Sequence, residues 1–181
     1  MATRVPTAKL RGPFKKLVDK LKVVEFDKAK YNRSTLGGLE PNMYYKAGKN
    51  TPGKPRYEYV TDDKGRIKGA YTDNLHLKPE GQKRGSHNSR SRGKQDGDDA
   101  GHLFADQFDG SGGLDNIVSQ ARDLNQGAWK NMEESWADAI NDGKTVEVFT
   151  EINYGDGARP TGFTVKTVID GVTQPIRKFP N

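Results

Sequence analysis

Apolar and polar residues alternate in several parts of the chain and follow a helical spacing in another. The alternation in residues 57–60 and 66–71, separated by turn residues, predicts a β-hairpin. Two further strands are predicted at 145–151 and 163–170. Ahead of these strands, residues 126–141 carry apolar side chains at helical spacing, at Trp129, Met132, Trp136 and Ile140. Strands early and late, with one helix between them, predict the α+β class.

We expect the first 50 residues to form an amino-terminal extension of uncertain role, followed by one domain over residues 51–181. Residues 1–30 contain a short amphipathic pattern at Phe14, Leu17, Leu21 and Val24. This pattern is compatible with a helix, a docking segment or the remnant of a longer parent chain. Residues 31–56 are rich in turn-forming residues and are predicted to be irregular.

The composition excludes several classes of protein. Only 32% of the 181 residues are hydrophobic, and no apolar run approaches the roughly 18 residues that a membrane-spanning helix needs. The absence of cysteine excludes disulfides, thiolate metal sites and thiol nucleophiles. Residues 1–6 lack the apolar stretch of a signal peptide, so we expect nothing here to direct general secretion. With 21 Gly and 9 Pro, the chain is expected to have long polar loops.

Charge is distributed unevenly along the chain. Residues 1–100 contain 23 Lys and Arg against 12 Asp and Glu, a net charge of +11, whereas residues 101–181 have a net charge of −5. Basic surface of this kind attracts nucleic acid without reading its sequence. Residues 80–98, the basic arm, are polar and punctuated by glycine. They fit either a disordered linker or a flexible arm along phosphates, and their position ahead of the candidate site favours the arm.

Three histidines are candidates for chemistry. His76 lies in a possible strand and is expected to be structural, whereas His87 in the basic arm is expected to be solvated and weakly positioned. His102 lies where a polar loop enters the core, and Gly101 before it allows a sharp turn or the close approach of another group. On spacing alone, His102 is more typical of a structural histidine than of a catalyst.

Side-chain amides downstream of His102 change that assessment. Asn116, Gln120 and Asn125 fall in a region apolar enough to be packed, where amides need hydrogen-bond partners. Asn125 fits a simple helix cap. It also fits a ligand for a hard cation, because its carbonyl oxygen would be held rigidly at the start of a helix.

The residues 99–102 (DAGH), 116–120 (NIVSQ) and 124–129 (LNQGAW), together with Glu133, resemble the DNA/RNA non-specific endonucleases. This family belongs to the ββα-metal, or His-Me finger, nuclease superfamily, and the bacterial toxin-domain variant is the most similar. The resemblance is strong over 98–136 and extends from residue 57 to residue 163. It implies that the domain over residues 51–181 is a nuclease domain with a ββα-metal finger core, an additional mainly antiparallel sheet and long polar loops.

The resemblance also implies residue roles. His102 would be the general base that takes a proton from the attacking water, and Asn125 would bind one Mg²⁺ directly, with Mn²⁺ as an alternative. Glu133, two helical turns from Asn125, would act on that metal through water. Asn116 would position His102 or the substrate phosphate, and Asp99 and Gln120 would support the site.

Two phosphate-binding arginines of the family are replaced by Ala100 and Ala137. Other cations are expected to supply this charge, with Arg159 ranked first. The remaining candidates are Arg66 and four residues of the basic arm, namely Arg84, Arg90, Arg92 and Lys94.

These observations predict a metal-dependent endonuclease that cleaves DNA, and also RNA, with little sequence preference. As the toxin domain of a larger secreted or delivered bacterial protein, it would act in the target-cell cytoplasm, and its producer would need an acidic immunity protein. The alternatives are a non-catalytic basic nucleic-acid-binding module, which leaves the pattern of His102, Asn125 and Glu133 unexplained, and a structure-specific or RNA-restricted nuclease.

Overall fold

The computed structural model describes residues 8–181 and consists of two sheets with three helices in that range. The helices are α1 (Arg11–Leu21), α2 (Arg122–Gln126) and α3 (Ala128–Asn141), with a 3-10 turn at Asp106–Phe108. The strands are β1 (Val24–Glu25), β2 (Met43–Ala47), β3 (Tyr57–Thr61), β4 (Ile67–Thr72), β5 (Asp98–His102), β6 (Ile117–Ala121), β7 (Val146–Tyr154), β8 (Pro160–Ile169), β9 (Val172–Thr173) and β10 (Arg177–Pro180). The expectation about a signal peptide concerns residues 1–6, which lie outside the described range. Within that range, every helix is too short or too polar to cross a membrane.

The larger sheet contains eight of the strands described. Its order is β1-β2-β3-β4-β7-β8-β10, with β9 on β8, and the neighbours are antiparallel except for β1 and β2. The predicted hairpin is confirmed as β3 and β4, in which Tyr59 pairs with Ala70. The two late strands are confirmed as β7 and β8. The prediction of irregular structure over 31–56 is wrong at β2, where Met43, Tyr45 and Ala47 bury alternate side chains.

The smaller sheet and the helices beside it form a ββα unit. Strands β5 and β6 are antiparallel, with His102 opposite Ile117, and the chain continues from β6 directly into α2 and α3. The predicted helix is confirmed from residue 128, but it does not continue back to Asn125. Gly127 separates α2 from α3, and a Cβ at this position would lie only 2.5 Å from the carbonyl oxygen of Asp123.

Apolar side chains cover both faces of the larger sheet. One face packs against the ββα unit through the apolar side of α3, including Trp129 and Trp136. The other face packs against α1, whose Phe14 stacks on Tyr71 with ring centroids 4.9 Å apart. Three positions of the amphipathic pattern, Phe14, Leu17 and Leu21, therefore lie on a helix, whereas Val24 lies in β1 and is exposed. The assignment of residues 1–50 to a separate extension stays a prediction, although α1 and β2 both contact the larger sheet.

The carboxylate of Glu147 on β7 holds the start of α1. It accepts hydrogen bonds from the backbone N–H groups of Lys9 (2.9 Å) and Leu10 (3.1 Å). The hydroxyl of Tyr71 donates to the same carboxylate at 2.6 Å. The bond to Leu10 satisfies the backbone N–H of the residue that caps α1, and the bond to Lys9 holds the residue before it.

Candidate active site

A cleft of about 690 Å³ lies between the ββα unit and the basic arm. Five of the site residues predicted from the sequence line it: Arg84, Asp99, His102, Asn125 and Glu133. The other predicted residues lie elsewhere: Arg66, Arg90, Arg92, Lys94, Asn116, Gln120 and Arg159. Sequence reasoning did not select five further polar residues that line the cleft: His87, Asp106, Gln107, Gln126 and Lys130.

Asp99 determines how the Asn125 side chain is oriented. Asn125 Nδ2 donates a hydrogen bond to Asp99 Oδ2 at 3.0 Å, and Gln126 Nε2 donates to the same oxygen at 2.9 Å. Because an ionised carboxylate only accepts hydrogen bonds, the amide nitrogen of Asn125 must face Asp99. Its carbonyl oxygen, Oδ1, therefore points away from Asp99 and has no protein partner within residues 8–181. Asn125 is not a helix cap, since it lies inside α2.

Asp99 remains ionised in this arrangement. Burial acts to raise its pKa, but hydrogen bonds from Asn125, Gln126 and Arg122 outweigh burial, so the pKa lies below its ordinary value. Arg122 Nε donates to Asp99 Oδ1 at 3.1 Å. Asp99 thus orients the side-chain amide of Asn125. The sequence had predicted only that Asp99 supports the site.

His102 ends β5 and is neutral at pH 7. Its pKa is lowered to about 4, first because burial disfavours the charged ring and then because of the neighbouring His87. Within the described part of the chain, no protein group makes a hydrogen bond with its ring. The neutral ring has one unprotonated nitrogen, and His102 lines the cleft.

Glu133 lies one turn into α3 and faces the same cleft. Its side chain is nearly buried, and burial together with the charge of Glu134 raises its pKa to about 8. The carboxyl group is therefore mostly protonated at pH 7. Because Gly127 interrupts the helix, Glu133 and Asn125 are not two turns apart on one continuous helix, as the sequence had predicted.

The oxygen atoms of the cleft fit a hard divalent cation. Asn125 Oδ1 has no protein partner, and a carboxyl group is available from Glu133. No group of three or more His, Cys, Asp and Glu side chains in residues 8–181 is arranged to hold a metal. Amide and carboxyl oxygens are ligand types that Mg²⁺ accepts together with several waters.

Asn116 is fully buried and lies behind the cleft. Its Oδ1 accepts hydrogen bonds from Tyr59 Oη (2.7 Å) and Phe104 N (3.0 Å). Its Nδ2 donates to the carbonyl oxygens of Phe104 (2.7 Å) and Ser111 (2.8 Å). Asn116 thus holds the loop that follows His102, and all its side-chain bonds are internal.

Gln120 explains the glycine before His102. A Cβ at Gly101 would lie 2.4 Å from Gln120 Oε1. The backbone of Gly101 is in an ordinary conformation, so the requirement is for close approach and not for a sharp turn. Gln120 is buried on β6, where it packs against the strand that ends at His102.

Two of the arginines expected to bind phosphate are engaged inside the protein. Arg159 Nε and Nη2 donate to the carboxylate of Asp98 at 2.8 and 2.9 Å, and Nη1 donates to the Asn181 carbonyl at 2.8 Å. Arg66 Nε donates to Asp62 Oδ2 at 2.9 Å, and its side chain is buried. The structure does not bring either guanidinium into the cleft.

The basic arm carries the remaining cations. Arg92 lies near the Thr35 carbonyl, and Lys94 Nζ donates to the Ser89 carbonyl. Arg90 is exposed outside the cleft, and only Arg84 lines it. Lys130 adds a second cation from α3. Its position three residues before Glu133, on the same helix face, was the signal in the sequence that could have identified it.

The other two histidines differ from expectation. His87 is exposed, but it is not weakly positioned, because its Nε2 lies 2.9 Å from the Ala100 carbonyl and its ring centroid 4.6 Å from that of His102. His76 is buried, with Nε2 3.4 Å from Asp109 Oδ2, and fits the predicted structural role. It does not lie in a strand, because β4 ends at Thr72.

Comparison with known proteins shows to which families and structures the chain is similar. A model of the DNA/RNA non-specific endonuclease family matches residues 41–171. The type VII secretion system protein EssD of Staphylococcus aureus (strain USA300) is 44% identical over 123 residues, which is 62% of this chain and 20% of that protein. The probable deoxyribonuclease RhsA of Dickeya dadantii (strain 3937) is 35% identical over 74 residues, which is 40% of this chain and 5% of that protein. The chain thus spans a fifth or less of these relatives.

Solved structures show the same fold. NucA from Streptococcus agalactiae with magnesium ion bound aligns with a TM-score of 0.59 at 16% identity, covering 75% of this chain and 76% of that one. NucA with no metal bound aligns with a TM-score of 0.53 at 17% identity, covering 82% and 86%. The predicted α+β class, with a ββα-metal core and an additional antiparallel sheet, is confirmed.

Proposed function

Since the chain belongs to the DNA/RNA non-specific endonuclease family, we propose that it is a metal-dependent enzyme in which His102, Asn125 and Glu133 act together. Its substrates are the phosphodiester bonds of DNA and of RNA. The observation that carries this proposal is the hydrogen bond from Asn125 Nδ2 to Asp99, which leaves Asn125 Oδ1 available in the same cleft as His102.

His102 is the general base. Because its pKa is about 4, the ring is unprotonated at pH 7 and can accept a proton from the attacking water. A base of so low a pKa is weak, but a bound phosphate favours the charged ring and therefore strengthens the base when substrate is present. Asn116 contributes by holding the loop after His102 in place.

Asn125 and Glu133 are the residues that would hold Mg²⁺ or Mn²⁺, Asn125 directly and Glu133 through water. When bound, such a cation would stabilise negative charge on the phosphate and on the departing oxygen. Asp99 keeps the amide of Asn125 oriented, in the way that outer hydrogen bonds usually fix metal ligands. Glu133 must lose its proton to take part, because its pKa in the protein alone is about 8.

Phosphate binding is assigned to Arg84 and Lys130, which line the cleft, with Arg90, Arg92 and Lys94 of the basic arm contacting more distant phosphates. Contacts of this type position a nucleic acid but do not read its bases. We therefore expect cleavage with little sequence preference.

The first experiment is plasmid digestion at pH 7–8 with Mg²⁺ and with EDTA, repeated with single-stranded RNA. His102→Ala and Asn125→Ala should each abolish cutting, whereas Asn131→Ala, an exposed asparagine on α3, should not. Binding of plasmid without cutting of DNA or RNA at any Mg²⁺ concentration would contradict the proposal and favour a non-catalytic binding module.

We further propose that the domain is the toxic part of a longer delivered protein that acts in the cytoplasm of the target cell. Support comes from the similarity to EssD, whose name places it in a type VII secretion system, and from the short share of that protein that the chain covers. A toxin of this kind requires an immunity protein, and the basic residues around the cleft suit an acidic one.

Expression in a bacterial cytoplasm tests the toxin proposal. The unaltered chain should stop growth and degrade cellular DNA or RNA, and His102→Ala should do neither. Normal growth, with active enzyme recovered from the same cells, would contradict the proposal.

A further inference from the structure

His87 places a second imidazole in the cleft beside the proposed base. The centroids of the His87 and His102 rings are 4.6 Å apart, with 52° between the ring planes. His87 Nε2 lies 2.9 Å from the carbonyl oxygen of Ala100, so this nitrogen is the donor in that bond. The other nitrogen, Nδ1, has no hydrogen-bond partner in residues 8–181.

The backbone on both sides of His87 is attached to the wall of the cleft. Gly85 N donates to Asp106 Oδ1 at 3.0 Å, and Asn88 N donates to the Gly112 carbonyl at 2.7 Å. Between them, the Ser86 carbonyl approaches Gly112 so closely that a Cβ at Gly112 would lie 1.6 Å from it. The segment 85–88 is therefore built into the cleft, unlike a solvated linker.

Asp106 strengthens this attachment. Burial acts to raise its pKa, but hydrogen bonds from Lys78 and Gly85, together with the charge of Lys49, hold the pKa at about 2. Asp106 is thus ionised over the whole working range of pH. The ionic bond from Lys78 Nζ to Asp106 Oδ2, at 2.6 Å, fixes the residue that anchors Gly85.

We propose that His87 contacts the scissile phosphate of the substrate through Nδ1, as a positively charged donor on the side of the attacking water. This inference rests on the proposed nuclease function. The cleft offers few other cations at this point, because Ala100 has no charge and Arg159 is bound to Asp98. Arg84 and Lys130 are the two cations that also line the cleft.

The two nitrogens of the His87 imidazole explain why Nδ1 is assigned to the phosphate. With Nε2 already donating to Ala100, Nδ1 can donate to a phosphate oxygen only when the ring is doubly protonated. The short distance to His102 places this charge on the side of the phosphate where water attacks. His102 stays the base because it is the more buried ring.

His87→Gln separates a substrate contact from a structural one. A glutamine amide reaches the position of Nε2 and preserves the bond to the Ala100 carbonyl, but it removes both Nδ1 and the positive charge. We expect kcat/KM on a fluorescent DNA duplex to fall by about 10–100-fold, as for the loss of a hydrogen bond to a charged group. Ser89→Ala, an exposed change in the same arm, should leave kcat/KM unchanged.

A second measurement does not depend on cleavage. In EDTA at pH 6.5, the slope of log binding constant against log salt concentration for the same duplex should fall by about one with His87→Gln, which is the loss of one phosphate contact. Ser89→Ala should not change this slope. Both changes are expected with His87→Gln, and the absence of either would overturn the inference.

Gly112→Ala provides an independent variant. The added methyl group forces the Ser86 carbonyl away and should displace His87. The value of kcat/KM should therefore fall, although His87 itself is not substituted. Combined with His87→Gln, it should produce little further loss, whereas fully additive losses would overturn the inference. If the unaltered protein binds duplex but does not cut it, the nuclease proposal fails. If the unaltered protein cuts and His87→Gln cuts equally well, only the role of His87 fails.

Discussion

Glu133→Gln should make the metal-free protein more stable, and the gain should grow with pH. Glu133 is 8% exposed, and its pKa is raised from 4.5 to about 8, mainly by burial. Below pH 4.5 the Glu133 carboxyl is protonated in both the folded and the unfolded chain. Its titration therefore does not change the free energy of unfolding there. Between pH 4.5 and 8 the unfolded chain loses the proton while the folded chain keeps it, which favours unfolding. Glutamine has a similar shape and does not titrate.

The size of the effect follows from the two pKa values. One pKa unit corresponds to about 1.4 kcal/mol, so the variant should gain about 1 kcal/mol at pH 5, about 2 kcal/mol at pH 6 and about 4 kcal/mol at pH 8. For a domain of this length, each kcal/mol shifts Tm by about 2–4 °C. The gap in Tm between variant and unaltered protein should therefore widen by about 4–8 °C from pH 6 to pH 8.

Thermal and urea denaturation in EDTA at pH 5, 6, 7 and 8 measure this gap. Glu134→Gln is the matched control, since that neighbouring carboxylate is exposed on the same helix and should give no comparable gain. Mg²⁺ should narrow the gap, because a bound cation favours the ionised carboxylate of Glu133. A gap that stays constant from pH 5 to pH 8 would refute the reasoning, because the carboxyl would then ionise normally in the fold.

Three further predictions concern His102, Asp99 and Asn116 of the candidate active site. In the His87→Gln background at saturating Mg²⁺, kcat/KM should stay within about twofold between pH 7 and pH 5.5, because the His102 pKa is about 4; a pKa of 6.5 would instead cost about tenfold. Asp99→Asn should weaken Mg²⁺ binding, measured by calorimetry, by about 10–100-fold because it releases Asn125, whereas the exposed Asp96→Asn should not. Asn116→Ala should lower the free energy of unfolding in urea by about 3 kcal/mol or more, because four buried hydrogen bonds lose their partner. A loss below about 1 kcal/mol would contradict that role.

The spacing of apolar residues correctly predicted those helices and strands that bury one face in the core. The spacing of Trp129, Met132 and Trp136 placed α3 correctly because these side chains all enter the same core. Strand β2 was missed because it has five residues, lies between turn signals and depends on pairing with β3. The break at Gly127 was also missed, since it depends on the close approach of the helix backbone to this residue.

The site was predictable where its residues are close in sequence. His102, Asn125 and Glu133 belong to one continuous ββα unit and line one cleft. The family resemblance carried by these segments selected them, whereas spacing alone favoured a structural role for His102. The ion pair that keeps Arg159 out of the cleft was not predictable, because Arg159 and its partner Asp98 are 61 residues apart in the sequence. His87 was misjudged for the same reason, since its position depends on the contact between Ser86 and Gly112 and not on the composition of the arm.

The charges of the cleft explain why a polyanion can enter before any cation is bound. The ionised Asp99 is paired with Arg122, and the ionised Asp106 is paired with Lys78 and Lys49. The metal-binding oxygen assigned to the ββα unit is a neutral amide, and the second group, Glu133, keeps its proton at pH 7. The carboxyl groups that line the cleft are therefore paired or uncharged, which leaves the exposed cations of the arm and of α3 to attract phosphate. A carboxylate in place of the Asn125 amide would add an unpaired negative charge at the point where the phosphate must arrive.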